Sequence, residues 1–169
     1  MKKIHVISIY ILTGICLFGA VLLSACGSTP TAKDGDTVQV DYTLTLADDT
    51  VYQTTVGNKP IEFVLGEGKY LAGFEEAIVG MKIGESKTIT ILAADAYPYR
   101  DDLVFTVDRS RLEEGLDPRV GDQLQSTDTN GQIFKMTVIA VSETNITVDA
   151  NSALAGKDLT FKIDLLKIN

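Results

Sequence analysis

Hydrophobic and polar residues alternate from Thr37 to Leu46. Val38, Val40, Tyr42, Leu44 and Leu46 fall on one face, and Thr37, Gln39, Asp41, Thr43 and Thr45 on the other. A period of two predicts a half-buried β-strand, which Asp48-Asp49 ends as a turn. Ile61 to Leu65 reads as a second short strand, closed by Gly66-Glu67-Gly68. The period then changes. Phe74, Ala77, Ile78 and Met81 stand at i, i+3, i+4 and i+7 and predict two turns of amphipathic helix. Glu75 and Glu76 lie in its first turn, where the helix dipole favours negative charge, and Gly80 lies near its C-terminal end. Ser86 to Leu92 alternates again, as does Leu159 to Leu166, with Phe161, Ile163 and Leu165 on one face.

Between Tyr99 and Ser152 the texture is different. Arg100-Asp101-Asp102 and Glu113 to Pro118 are polar and turn-rich. Asn130-Gly131 is the dipeptide of a tight hairpin, flanked by Gln123 to Gln125 and Ile133 to Val138. Asn145 to Asp149 predicts one more strand. A small β-rich unit therefore stands before the last strand of the main body. Ile133, Phe134 and Met136 are either its own core or an apolar gripping face, and a unit this small favours the core.

The N-terminus is of another kind. Lys2 and Lys3 precede an apolar run from Ile4 to Leu23 that ends in Leu23-Ser24-Ala25-Cys26. A basic start and an apolar core make a secretory signal, and the last four residues resemble a bacterial lipobox, whose Cys is acylated. The expectation is a signal peptide over 1–25, lipidation at Cys26 and a flexible tether over 26–35. The chain would then sit on the extracytoplasmic side of the cell membrane, lipid-anchored.

Composition narrows the chemistry. Without Lys2 and Lys3 the chain keeps 13 of its 15 Lys and Arg against 23 Asp and Glu, a net charge of −10. No nucleic-acid partner is expected, because phosphate binding needs clustered Lys and Arg. His5, Cys16 and Cys26 are the only His and Cys. The body therefore lacks the residues for Ser-His-Asp or Cys-His nucleophilic catalysis, for zinc and for disulfides. Carboxylates, hydroxyls and a binding cavity remain.

Six segments in one order resemble the FKBP-type peptidyl-prolyl isomerases, and most of all their SlyD-like branch. They are Val40-Asp41-Tyr42, Phe63 to Gly66, Leu71 to Ala77, Gly80 to Glu85, Asp95-Ala96-Tyr97 and Leu154 to Phe161. The resemblance implies an α+β fold, a twisted antiparallel sheet around one short helix. It implies an FKBP-like domain over 36–98 and 153–169, interrupted by an insert-in-flap domain over 99–152. It further implies a cleft in which Tyr97, Tyr42 and Phe74 carry the catalysis. Tyr97 would bond the substrate carbonyl, Tyr42 would shape the cleft and Phe74 would be its floor. Tyr52, Gln53, Ile61, Tyr70, Leu71 and Phe161 would bind substrate. Gln53 departs from the family's usual Asp, and Tyr97-Pro98 from its Tyr-Gly. No His-rich metal-binding segment is present, so neither metal nor cofactor is expected. The implied substrates are proline-containing unfolded or partly folded exported polypeptides, with the insert as a chaperone module and the chain as a monomer. One alternative is a lipid-anchored holdase with a nearly inactive cleft. Another is a carboxylate-based hydrolase using Asp48-Asp49 or Asp101-Asp102, although turn caps are the simpler reading of both pairs.

Overall fold

Strand β1 (Thr37–Thr45) alternates buried and half-buried positions along its whole length, as its sequence requires. The computed structural model describes residues 29–127 and 130–169, so Cys26 and its flanking motif lie outside the described residues. Around β1 are β2 (Val51–Thr54), β3 (Ile61–Val64), α1 (Ala72–Ile78), β4 (Ser86–Ile91) and β9 (Leu159–Ile168). The sheet order is β2-β1-β9-β4, with β3 also paired to β1, and all pairings are antiparallel. A second sheet, in the order β5-β8-β7-β6, is built from β5 (Val104–Asp108), β6 (Gln123–Thr127), β7 (Ile133–Val141) and β8 (Asn145–Asp149). One short helix among antiparallel strands is an α+β fold.

Each sheet has its own apolar cluster. The larger joins Val38, Val40 and Leu44 of β1 to Phe161, Ile163 and Leu165 of β9 and to Phe74 and Ile78 of α1. The smaller joins Val138, Ile146 and Val148, with Met136 and Leu124 packed against them. Met136 thus belongs to this core, whereas Ile133 and Phe134 stand 63% and 41% exposed. The two crossings between the sheets are tied to each other. The Arg100 N–H donates to Asn151 Oδ1 (3.0 Å), and Asn151 Nδ2 donates back to the Arg100 carbonyl (2.9 Å). Next to them the Tyr99 hydroxyl donates to Asp149 Oδ2 (3.1 Å).

Two strands lacked a sequence signal. β2 is four residues long and exposed throughout, so it shows no alternation of burial. β5 lies between the two turn-rich segments and buries little on either face. The helix is shorter than its apolar spacing implied. It ends at Ile78, Gly80 turns the chain at φ 85°, and Met81 reaches the core from outside the helix.

The tether expected over 26–35 is corrected at its second half. Ala32 is 1% exposed and belongs to the main core. Its N–H donates to the Met81 carbonyl (2.8 Å), its own carbonyl accepts from Gly80 (2.7 Å), and Thr31 bridges to Lys82. A small apolar residue whose backbone groups are all paired can be buried cheaply, and polar neighbours masked that in the sequence. Ala32→Asp should therefore lower unfolding stability by on the order of 3 kcal/mol, the effect of an unpaired buried charge. Urea titration checks this, and an unchanged midpoint would restore a free tether up to Gly35.

Candidate functional site

The aromatic residues of the main core run out to the surface at one end of the sheet. There a cleft of about 460 Å³ opens. β1 supplies Tyr42 and Leu44, β9 supplies Leu159 and Phe161, and α1 supplies Phe74 from its first turns. Gln53 of β2 pairs with Leu44 and so faces the same side. Lys69, Tyr70 and Leu71 come from the loop before α1, and Tyr97 and Leu154 from the two crossings.

The rings form a box. Phe74 lies edge-on to Tyr42 at 5.7 Å and to Phe161 at 5.1 Å, with Tyr70 at 5.6 Å. Phe63 backs Tyr70 at 4.5 Å from inside the core. Such edge-to-face pairs add attraction beyond the area they bury. Phe74 and Phe161 are 2% and 7% exposed, so each is at once core and cleft wall.

Polar groups orient the box from behind. The Tyr42 N–H donates to Thr55 Oγ1 (2.9 Å), and that hydroxyl donates on to Asp41 Oδ1 (2.7 Å). The Tyr97 carbonyl accepts from the Gly156 N–H (2.8 Å), which holds one crossing against the other. Burial, then the neighbouring Tyr70 and Tyr97, raise the Tyr42 phenol above its usual range; burial and Glu75 do the same for Tyr70. Both hydroxyls therefore stay protonated as donors. Among the described residues no carboxylate lines the cleft, and Lys69 is its one charged side chain, with Nζ 6.0 Å from the Tyr70 ring centre.

The lip of the cleft hangs on a buried charge. Glu75 is 5% exposed, and its carboxylate accepts N–H bonds from Gly66 (2.8 Å), Tyr70 (2.9 Å) and, more weakly, Gly68 (3.4 Å). Gly66 and Gly68 have φ of 85° and 69°, which lets the loop curl its amides inward. Burial opposes ionisation of Glu75, but these backbone donors outweigh it and hold the carboxyl below its usual range.

Of the residues expected at the site, Tyr42, Gln53, Tyr70, Leu71, Phe74, Tyr97 and Phe161 are brought together. Tyr52 and Ile61 are not among the cleft residues. Tyr52 precedes Gln53 on the strand and so points to the other face, 47% exposed. Ile61 pairs with Val40 and packs on the core. The sequence reading passed over Leu44, Lys69, Leu154 and Leu159. The signal for Leu44 and Leu159 was present, since each is two residues from a cleft aromatic on the same strand face. The acidic pairs are turn groups, as their context implied: Asp48 accepts from the Thr50 N–H (3.1 Å), and Asp102 pairs with Arg100. Neither lines the cleft.

An aromatic cleft without nucleophile or acid–base pair, between a β-sheet and one short helix, narrows the choice of relatives. The sequence pattern of the FKBP-type peptidyl-prolyl cis-trans isomerases matches residues 28–166. The chain belongs to this family. It is 33% identical over 146 residues to the short-type peptidyl-prolyl cis-trans isomerase of Methanocaldococcus jannaschii, covering 78% of this chain and 90% of that one. It is 30% identical over 140 residues to the FKBP-type 16 kDa isomerase of Escherichia coli, covering 81% and 93%. With SlyD of Aeromonas hydrophila it shares 31% over 128 residues, 76% of this chain but 60% of that one. The isomerase has the family's enzymatic class and fold.

Glu75 gives this isomerase an acid-sensitive lip. A carboxyl with a depressed folded pKa stabilises the fold above its unfolded value of 4.5, and that stabilisation is lost as pH falls through the folded value. Glu75→Gln should cost on the order of 2 kcal/mol at neutral pH, because an amide cannot accept all three bonds as strongly. Its stability should then fall less steeply than the wild type's below pH 4.5. Parallel acid titrations of the two proteins would show that Glu75 is not the group involved.

Proposed function

We propose that this isomerase acts on proline-containing polypeptides exported across the membrane, from a lipid anchor at Cys26, and that its second sheet holds unfolded clients. The observation that carries the chemistry is the cleft itself, largely aromatic and aliphatic, with no carboxylate or imidazole among the described residues that line it. Turning an X-Pro bond breaks amide resonance against a barrier of about 18–20 kcal/mol and needs no covalent step. A prolyl ring against Phe74 and Phe161 takes its amide out of water. The twisted amide is less charge-separated than the planar one and loses less by desolvation, so the barrier falls. The Tyr97 hydroxyl, on the cleft's outer rim, bonds the substrate carbonyl while the bond turns, and Tyr42 sets the shape of the wall. Lowering the barrier by about 4 kcal/mol gives roughly a thousandfold acceleration.

The client-holding part rests on a groove of about 850 Å³ in the second sheet. Phe105, Leu116 and Phe134 line it while standing 43%, 45% and 41% exposed, an apolar surface the unit's own core leaves uncovered. This supports a module that grips unfolded chain rather than a purely structural insertion.

Two experiments test these readings. The rate on a prolyl tetrapeptide should be flat from about pH 6 to 8, since no ordinary carboxylate or phenol titrates there. Tyr97→Phe should lose about fivefold, on the order of 1 kcal/mol for one hydrogen bond, and Phe74→Ala more. A bell-shaped profile centred near neutrality would contradict desolvation as the mechanism. Separately, replacing 99–152 by a short loop should depress turnover on an unfolded protein far more than on the tetrapeptide. Equal losses on both substrates would remove the gripping role.

A further inference from the structure

The main sheet has two distinct ends, and the site uses only one. Antiparallel register places Thr37 opposite Val64, and Val38 opposite Ile168, at the first end. Thr45 meets Thr160, and Ile91 meets Leu159, at the second, next to the cleft residues Leu44 and Phe161. Leu44 is six positions along β1 from Val38, about 20 Å at the rise of a strand. The N-terminal strap enters at the first end, where Ala32 is clamped between the Gly80 and Met81 backbones and the Gly35 N–H donates to the Leu65 carbonyl (3.0 Å).

That clamp sets a limit. Cys26 is five positions before Thr31, and a chain spans at most about 3.5 Å per residue, so covalent reach limits their Cα atoms to roughly 17 Å. At this same end Val79 and Ile83, on either side of the segment that holds the strap, are 40% and 49% exposed. Lys33 and Lys82 stand there among Asp34, Asp36 and Glu85, so the charge is mixed and offers no strong field. The apolar pair and the short reach, not electrostatics, decide the partner.

We infer that the strap end of the main sheet, with Val79 and Ile83, is a docking face for the lipid bilayer that carries the anchor. The cleft end is thereby held away from the membrane, open to chains in the aqueous space. This rests on the proposed lipidation of Cys26. It adds an orientation, which a longer or unclamped tether would not impose.

The experiment uses the mature, acylated full chain in phosphatidylcholine vesicles. With Cys26 acylated, a cysteine introduced as Ile83→Cys, Val79→Cys or Gln125→Cys is the single free thiol, and it takes an environment-sensitive fluorophore. Labels at 83 and 79 should be quenched by a lipid-borne nitroxide at least threefold more than the label at 125. Vesicle flotation and the mass of Cys26→Ala, expected to remain an unprocessed precursor, read the anchor separately. A chain that floats but shows equal quenching at the three positions overturns the docking face and leaves the anchor standing. A chain that does not float, or a Cys26→Ala chain that matures to wild-type mass, overturns both.

Discussion

Glu75 carries a charge where the fold has little room for one, and the cleft is arranged around that fact. Its carboxylate sits behind the lip and gathers the N–H groups of Gly66, Gly68 and Tyr70. Without it those donors would face the core unpaired, each at a penalty of about 1–3 kcal/mol. With it, the irregular seven-residue loop between β3 and α1 becomes a fixed piece of wall bearing Lys69, Tyr70 and Leu71. Three N–H donors fall on two oxygens, so an ionised carboxylate meets them more strongly than a neutral side chain could, although it never faces the cleft. The two left-handed glycines are the local condition for this geometry.

The same economy of polar groups marks the cleft. Its lining holds three phenols, an amide and one ammonium, and everything else is hydrocarbon or ring. Bonds that fix the walls run behind them: Thr55 and Asp41 under Tyr42, Gly156 under Tyr97, and the Arg100–Asn151 exchange across the two crossings. A low-polarity cleft with a well-bonded backing suits a reaction whose barrier is lowered by removing water rather than by moving protons.

Long periodic segments were legible in the sequence because burial there follows a simple rule. β1 and β9 alternate in and out as their residues do, and the helix appears where the apolar spacing changes to three and four. β2 and β5 were not legible, since a short exposed strand is defined by its partner's hydrogen bonds and not by its own composition. The docking of Ala32 depends on the Met81 carbonyl and the Gly80 N–H, about fifty residues away, and nothing near it signals them. For the site, the order of six short segments picked out seven of the cleft residues. Tyr52 entered with them through the family resemblance, and strand alternation turns it to the face opposite Gln53. Glu75 was read as a dipole partner of the helix, and its actual role depends on the loop that folds over it.

The position of β9 has a consequence for how the chain assembles. It pairs with both β1 and β4, and it follows all the other described elements in chain order. The ladder from Leu44 to Phe161 closes across more than a hundred intervening residues, whereas β6, β7 and β8 pair with immediate sequence neighbours. Closing the longer loop costs more entropy before any contact compensates it, and such topologies fold slowly. The second sheet can thus be complete while β1 still waits for its partner. The aromatic box, which needs Phe161 of β9, therefore closes last. An enzyme for slow steps in folding thereby has a slow step of its own, set by strand order.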